Sequence, residues 1–229
     1  MSTTIPNPAK AYAGLVTLTG ATVLALGLLH WQSQDLTAYL AFFFLALVGS
    51  VLKIRLPGFT GTMSLSFVFI LIAVADFSFS ETVALGCAAA MAQSLWKPQQ
   101  LKALQIIFNV AAITLSSAVA YWGSHSLLNV MGASSLPILM ALAACLYLVA
   151  NTLVVAIVIS LTEAQALMKV WKQCYRWAFP YFAAGAAVAG LVCASCKTVG
   201  WQVSLLVLPA AYLLYVYYRM HADCAEVKA

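Results

Sequence analysis

The sequence predicts an all-α, polytopic integral membrane bundle of about eight transmembrane helices, and three observations carry that prediction. Only 7% of the 229 residues are charged and 64% are hydrophobic, with a mean hydropathy of +0.98; a soluble domain of average composition carries about 25% charged residues. Apolar runs long enough for helices recur from end to end, separated by short polar links. The basic residues are confined to those links, one to three at a time. A net charge of +5 therefore reports orientation and gives no reason to expect a nucleic-acid partner. No polar stretch is long enough to fold alone, so 1–229 reads as a single transmembrane domain.

The first span is expected over about 12–29 and the second over about 36–51, joined by a polar link containing Asp35. No small-residue cleavage site follows the first run, which reads as a span and not as a removed signal peptide. The third, about 63–75, and the fourth, about 81–95, are short for a hydrocarbon core of about 30 Å at 1.5 Å per residue, so they must be tilted, buried or partly re-entrant. Asp76, Ser78, Ser80 and Glu81 form the turn between them, with Ser80 as the expected N-cap of the fourth. The fifth (about 101–122) and sixth (about 137–160) are long enough to cross unaided. Ser160-Leu161-Thr162-Glu163 then fits a capping box, and Leu167, Val170, Trp171 and Cys174 recur at helical spacing opposite Lys169, Lys172, Gln173 and Arg176. That pattern predicts a cytoplasmic interfacial amphipathic helix over about 163–176. Pro180 opens the seventh span (about 181–195), and the eighth covers about 201–218.

With the N-terminus inside, ten of the eleven Lys and Arg residues fall on the cytoplasmic side and only Lys197 falls outside. So strong an asymmetry in such short loops predicts both termini inside, and an odd change in span number would destroy it.

The polar interruption at 53–66 stands out. Lys53 and Arg55 precede Pro57-Gly58, and hydroxyls then alternate at Thr60, Thr62, Ser64 and Ser66 before an apolar run. The ordinary reading is a cytoplasmic turn leading into a helix whose hydroxyls bond back to its own carbonyls. The alternative is a re-entrant element, since non-helical backbone at membrane depth is tolerated only where protein covers it or a watery cavity adjoins it.

Candidate ligand-binding residues follow from depth. Asn109 lies about eight residues from the cytoplasmic start of the fifth span and Asn151 about nine from the cytoplasmic end of the sixth, so the two amides are expected at similar depth. Gln93, Thr62, Ser64 and Ser66 belong to the same cytoplasmic half. Together these six predict either a polar pocket opening inward or interhelical hydrogen-bond glue. No charged residue falls at mid-depth in any predicted span, which argues against a proton-coupled pump or a buried ion relay. Small residues at four-residue spacing, Ala84/Ala88/Ala92, Gly86/Ala90/Ser94, Gly185/Ala189 and Ala186/Gly190, predict close helix packing, inside one chain in preference to at a dimer face. Cys193 and Cys196 make a Cys-x-x-Cys near the outer end of the seventh span, but the other four cysteines are scattered singly and apolar surroundings make thiols inert. His30, His125 and His221 have no metal-ligand spacing, and no phosphate loop, nucleophile elbow or paired carboxylate site is visible. No catalytic residue, metal or cofactor is expected.

Leu56-Pro57-Gly58 with Thr62-Met63-Ser64-Leu65-Ser66-Phe67, then Phe108-Asn109-Val110-Ala111, Val149-Ala150-Asn151-Thr152-Leu153-Val154-Val155-Ala156, and Val170-Trp171 through Trp177-Ala178-Phe179-Pro180, resemble in order and spacing the N-terminal membrane modules of bacterial HD-GYP phosphodiesterases and GGDEF diguanylate cyclases. The resemblance runs from about Leu36 to Met220. It implies a module in the bacterial cytoplasmic (inner) membrane that senses a signal and passes it to a cyclic-di-GMP domain attached after the last span. This chain departs from that pattern: about ten residues follow the eighth span, with no HD-GYP or GGDEF motif, so a stand-alone module is expected to act through a partner. The resulting expectation is a non-enzymatic sensory or regulatory module that binds a small or lipid-like ligand within the bundle and signals to a cytoplasmic partner. A substrate-binding component of a vitamin-like transporter, with an energising partner, is the alternative; a membrane thiol oxidoreductase at Cys193 and Cys196 is the remote third.

Overall fold

The computed structural model describes residues 6–55, 62–96, 103–132 and 134–202, with 209, 212, 213, 216 and 217. These form seven helices and one two-stranded ribbon: α1 Asn7–Leu29, α2 Leu36–Val51, β1 Lys53–Arg55, β2 Thr62–Ser64, α3 Ser66–Asp76, α4 Phe79–Leu95, α5 Ala103–Val130, α6 Leu136–Glu163 and α7 Leu167–Val199. Among the described residues, four segments are long and apolar enough to cross a membrane: Asn7–Leu29, Ala103–Val130, Leu136–Glu163 and Ala178–Val199. Most of the expected eighth span, the tail after it, and the Pro57-Gly58 turn with Thr60 lie outside the described residues.

The bundle is built around α3. Every residue from Ser66 to Val74 is buried, none more than 3% exposed, although the helix is only 11 residues long. Such a helix, apolar on all sides, is stable only when enclosed on all sides. Elements α2, α4, α6 and α7 supply the enclosure: Phe42 and Leu45, Leu85 and Ala89, Tyr147 and Leu148, and Tyr181 and Phe182 belong to the same core. The short third span is thus buried. Phe67 locks it to α7, its ring centroid 4.9 Å from Tyr181 and 4.6 Å from Phe182.

The outer helices pack through small residues. In α1 the buried positions Ala9, Ala13, Val16, Gly20 and Gly27 form one stripe, while Leu15, Leu18, Leu26 and Leu29 are exposed on the other side. Gly20 comes so close to α5 that a Cβ there would stand 2.8 Å from Ala111 Cβ. Buried hydroxyls within α5 and α6 return to their own helices: Ser116 Oγ donates to Ala112 O at 2.8 Å and Thr152 Oγ1 to Leu148 O at 2.6 Å.

Three sequence expectations change. The N-cap of α4 is Ser78, not Ser80: Ser78 Oγ accepts from Glu81 N while the Glu81 carboxylate accepts from Ser78 N at 2.9 Å, a complete capping box. Ser80 instead donates to His30 O at 3.0 Å, tying the end of α1 to the start of α4. The predicted capping box at Ser160–Glu163 does not form, because α6 is still helical there; Ser160 Oγ donates forward to Gln165 O at 2.7 Å. The amphipathic segment is consequently not a separate helix over 163–176. It is the first third of α7, a continuous 33-residue helix that carries Pro180 inside it. Its apolar face, Val170 and Cys174, packs on Ala156 of α6, and Trp171 Nε1 donates to Thr152 Oγ1 at 3.2 Å. Protein thus covers Val170 and Cys174 of that face, while Leu167 is exposed.

Candidate functional site

The polar interruption before α3 folds as an antiparallel ribbon, with Lys53 opposite Ser64, Ile54 opposite Met63 and Arg55 opposite Thr62. The alternation of hydroxyls therefore does mark a strand. Leu65 N donates to Leu52 O at 3.3 Å and extends the pairing to the start of α3. Among the described residues, the hydroxyls of Ser64 and Ser66 make no bond back to helix carbonyls. They lie 2.7 Å apart, and Ser64 Oγ donates to Gln93 Oε1 at 2.7 Å. A hydroxyl carries one proton. Since Ser64 gives its proton to Gln93, Ser66 donates to Ser64, and the relay runs one way from α3 through the ribbon to α4.

Three of the six expected ligand residues are thus brought together: Ser64, Ser66 and Gln93. Both serines are buried and Gln93 is half-buried. Thr62 sits on β2 opposite Arg55. Lys53 holds the ribbon in place from the other strand, its Nζ donating to Trp96 O at 2.8 Å. Trp96 caps the C-terminus of α4, where the helix dipole favours a cation. Partial burial pushes the Lys53 ammonium below the usual lysine range. In the sequence Lys53 is only one of two basic residues before the Pro57-Gly58 turn; its partner Trp96 lies 43 residues away and no local pattern links them.

The two asparagines do not meet. Both are half-buried, and no hydrogen bond joins them among the described residues. Helix register gives the reason. Gly123 of α5 abuts Leu146 of α6. Counting antiparallel from there, Asn151 comes level with Ala118, about 13 Å further along α5 than Asn109 at 1.5 Å per residue. Gly86 of α4 abuts Ser117 of α5. The same count brings Asn109 to about the depth of Gln93. One amide therefore shares a level with the serine relay and the other lies deeper.

A second polar knot closes the opposite end of the bundle. Ser78 Oγ lies 2.7 Å from Gln32 O, and Thr82 Oγ1 donates to Ala73 O at 3.0 Å. Glu81 is 2% exposed. At this end too, Cys193 is buried and Cys196 half-buried, both as free thiols, with the Asp76 carboxylate nearby.

The serine relay contains hydroxyls, an amide and a nearby ammonium. Such groups orient and hold a polar ligand by hydrogen bonds. Searches of protein-family models, curated proteins and solved structures find no match to this chain.

Proposed function

We infer that the chain is a non-enzymatic sensory or regulatory module of a bacterial cytoplasmic membrane, crossing it eight times with both termini inside. In this reading a small or lipid-like ligand engages the ribbon end of the bundle and a cytoplasmic partner reads the result. The observation that carries it is the relay Ser66–Ser64–Gln93, which joins the ribbon, the enclosed helix α3 and the end of α4 in one hydrogen-bonded unit. A ligand hydroxyl or carbonyl competing for Gln93 or Ser64 would alter how the ribbon and α3 are held together. Asn109, at similar depth, extends the polar set; Asn151 belongs to it only for a ligand reaching deeper.

Native mass spectrometry of the gently purified protein tests this. A discrete small-molecule or lipid adduct is expected in the wild type and lost in Ser64→Ala and in Gln93→Leu, with helical circular dichroism unchanged. An adduct that survives both substitutions would overturn the assignment of the site. The transporter-component reading is favoured by one observation: α3 is a short enclosed helix entered through non-helical backbone, the kind of interrupted element that lines transporter sites. Accumulation of a labelled solute in vesicles, and not saturable binding alone, would decide for it.

A further inference from the structure

At about 50 Å, α7 is longer than the hydrocarbon core by about 20 Å. Its apolar part, Ala178–Val199, is long enough to cross, so the segment 167–177 stands beyond it at the ribbon end of the bundle. Burial divides that segment by face. Val170 and Cys174 are buried against α6, and the Trp171 indole is tied to Thr152. Lys169, Lys172 and Arg176 are all exposed. At 100° per residue these three cations fall within an arc of about 60°, roughly opposite the buried pair. None of them is ion-paired or hydrogen-bonded among the described residues.

We propose that Lys169, Lys172 and Arg176 form a docking face for the phosphate groups of anionic phospholipids in the leaflet at the ribbon end. Charge and position select this occupant. Three exposed cations on one helical face, without an ion pair among the described residues, suit an anionic partner, and the helix runs without interruption from this face into the apolar segment, which fixes the cations within about three turns of the hydrocarbon boundary. Headgroup phosphates are the anions present at that depth in any bilayer with acidic lipid. Val170 and Cys174 of the same segment are taken by α6, which leaves the charged face as the larger part of what the segment presents. This inference does not depend on the ligand reading at Ser64 and Gln93.

The test uses the full chain in a neutral detergent, titrated with phosphatidylglycerol and with phosphatidylcholine of the same acyl chains, bound lipid being counted by native mass spectrometry. Wild type is expected to favour phosphatidylglycerol by at least tenfold, and the preference to fall with added salt. The triple variant Lys169→Gln/Lys172→Gln/Arg176→Gln is expected to lose it, while Lys169→Arg/Lys172→Arg/Arg176→Lys keeps it. All three substituted positions are exposed, and unchanged elution and circular dichroism confirm the fold. Equal binding of both lipids by wild type would overturn the proposal, as would full preference in the glutamine variant. Displacement of phosphatidylglycerol by an equimolar acidic peptide such as hexaglutamate would overturn it in favour of a protein partner.

Discussion

Two glycines show how one methyl group changes sign with its surroundings. Gly185 of α7 is buried directly against the Phe67 ring, and a Cβ there would drive into that ring. Gly185→Ala gains about 1 kcal/mol of helix propensity, but Phe67 is held between Tyr181 and Phe182 and cannot yield, so a net destabilisation of about 1–3 kcal/mol is expected. Gly14 of α1 has nothing within 4 Å of its would-be Cβ, and Gly14→Ala is expected to stabilise by up to about 1 kcal/mol. Thermal unfolding in detergent should move in opposite directions for the two variants. Glu81 supplies the second residue-scale prediction. Glu81→Gln keeps an acceptor for Ser78 N and is expected to unfold near the wild-type temperature, whereas Ser78→Ala removes the cap and costs about 1–2 kcal/mol. The sequence holds two Ser-x-x-Glu patterns, and only the one at 78–81 caps. Ser78 follows a chain reversal, where the first N–H groups of a helix lack partners; Ser160 follows 24 residues already helical, where they do not. The pattern is local, but the vacancy it fills is decided by the preceding chain.

Among the elements, α7 and the ribbon departed most from a helix-by-helix reading. The period of apolar residues at 167–174 is real, and Val170, Trp171 and Cys174 of it pack on α6. Periodicity identifies a buried face without naming what buries it. The joint is testable through Trp171, whose indole N–H reaches Thr152 Oγ1. Trp171→Phe keeps most of the ring and loses the hydrogen bond, for an expected cost of about 1 kcal/mol in thermal unfolding; Thr152→Val should cost a similar amount, and the double variant little more than either alone. At the ribbon, Lys53 and Trp96 are 43 residues apart in sequence and meet only because α4 returns antiparallel to α3. Lys53→Met is expected to raise amide hydrogen exchange at 53–55 and 62–64 well above the level in α3, while the buried helix keeps its protection.

For the whole molecule, the distribution of Lys and Arg predicts that the turn at Gly132 faces outside and the turn at Ala166 faces inside. In a cysteine-free background, Gly132→Cys should be labelled by an impermeant maleimide added to intact cells, and Ala166→Cys only after lysis; the reverse pattern would refute the inside placement of both termini. Membrane character, the helical class and the approximate limits of α1, α2, α5 and α6 were legible in the sequence. They follow from composition and from the need of every backbone group in lipid to be bonded within its own helix. The meeting of Ser64, Ser66 and Gln93 was legible as shared depth, because rise per residue fixes depth, but the direct bonds were not. The asparagines show the limit of the same reasoning: depth counted from span ends carries the error of those ends, and α6 runs to Glu163 where 160 was expected, which sets Asn151 deeper than Asn109. The sequence by itself determined which segments are apolar enough to be helices in lipid and which side their basic links favour, since both depend on local transfer energies. Only the tertiary structure decided that α3 lies at the centre, that α6 covers Val170 and Cys174 of α7, and which hydroxyls reach Gln93. Those outcomes depend on register between helices distant in the chain, which is set by where small residues such as Gly20, Gly86 and Gly185 allow backbones to close together.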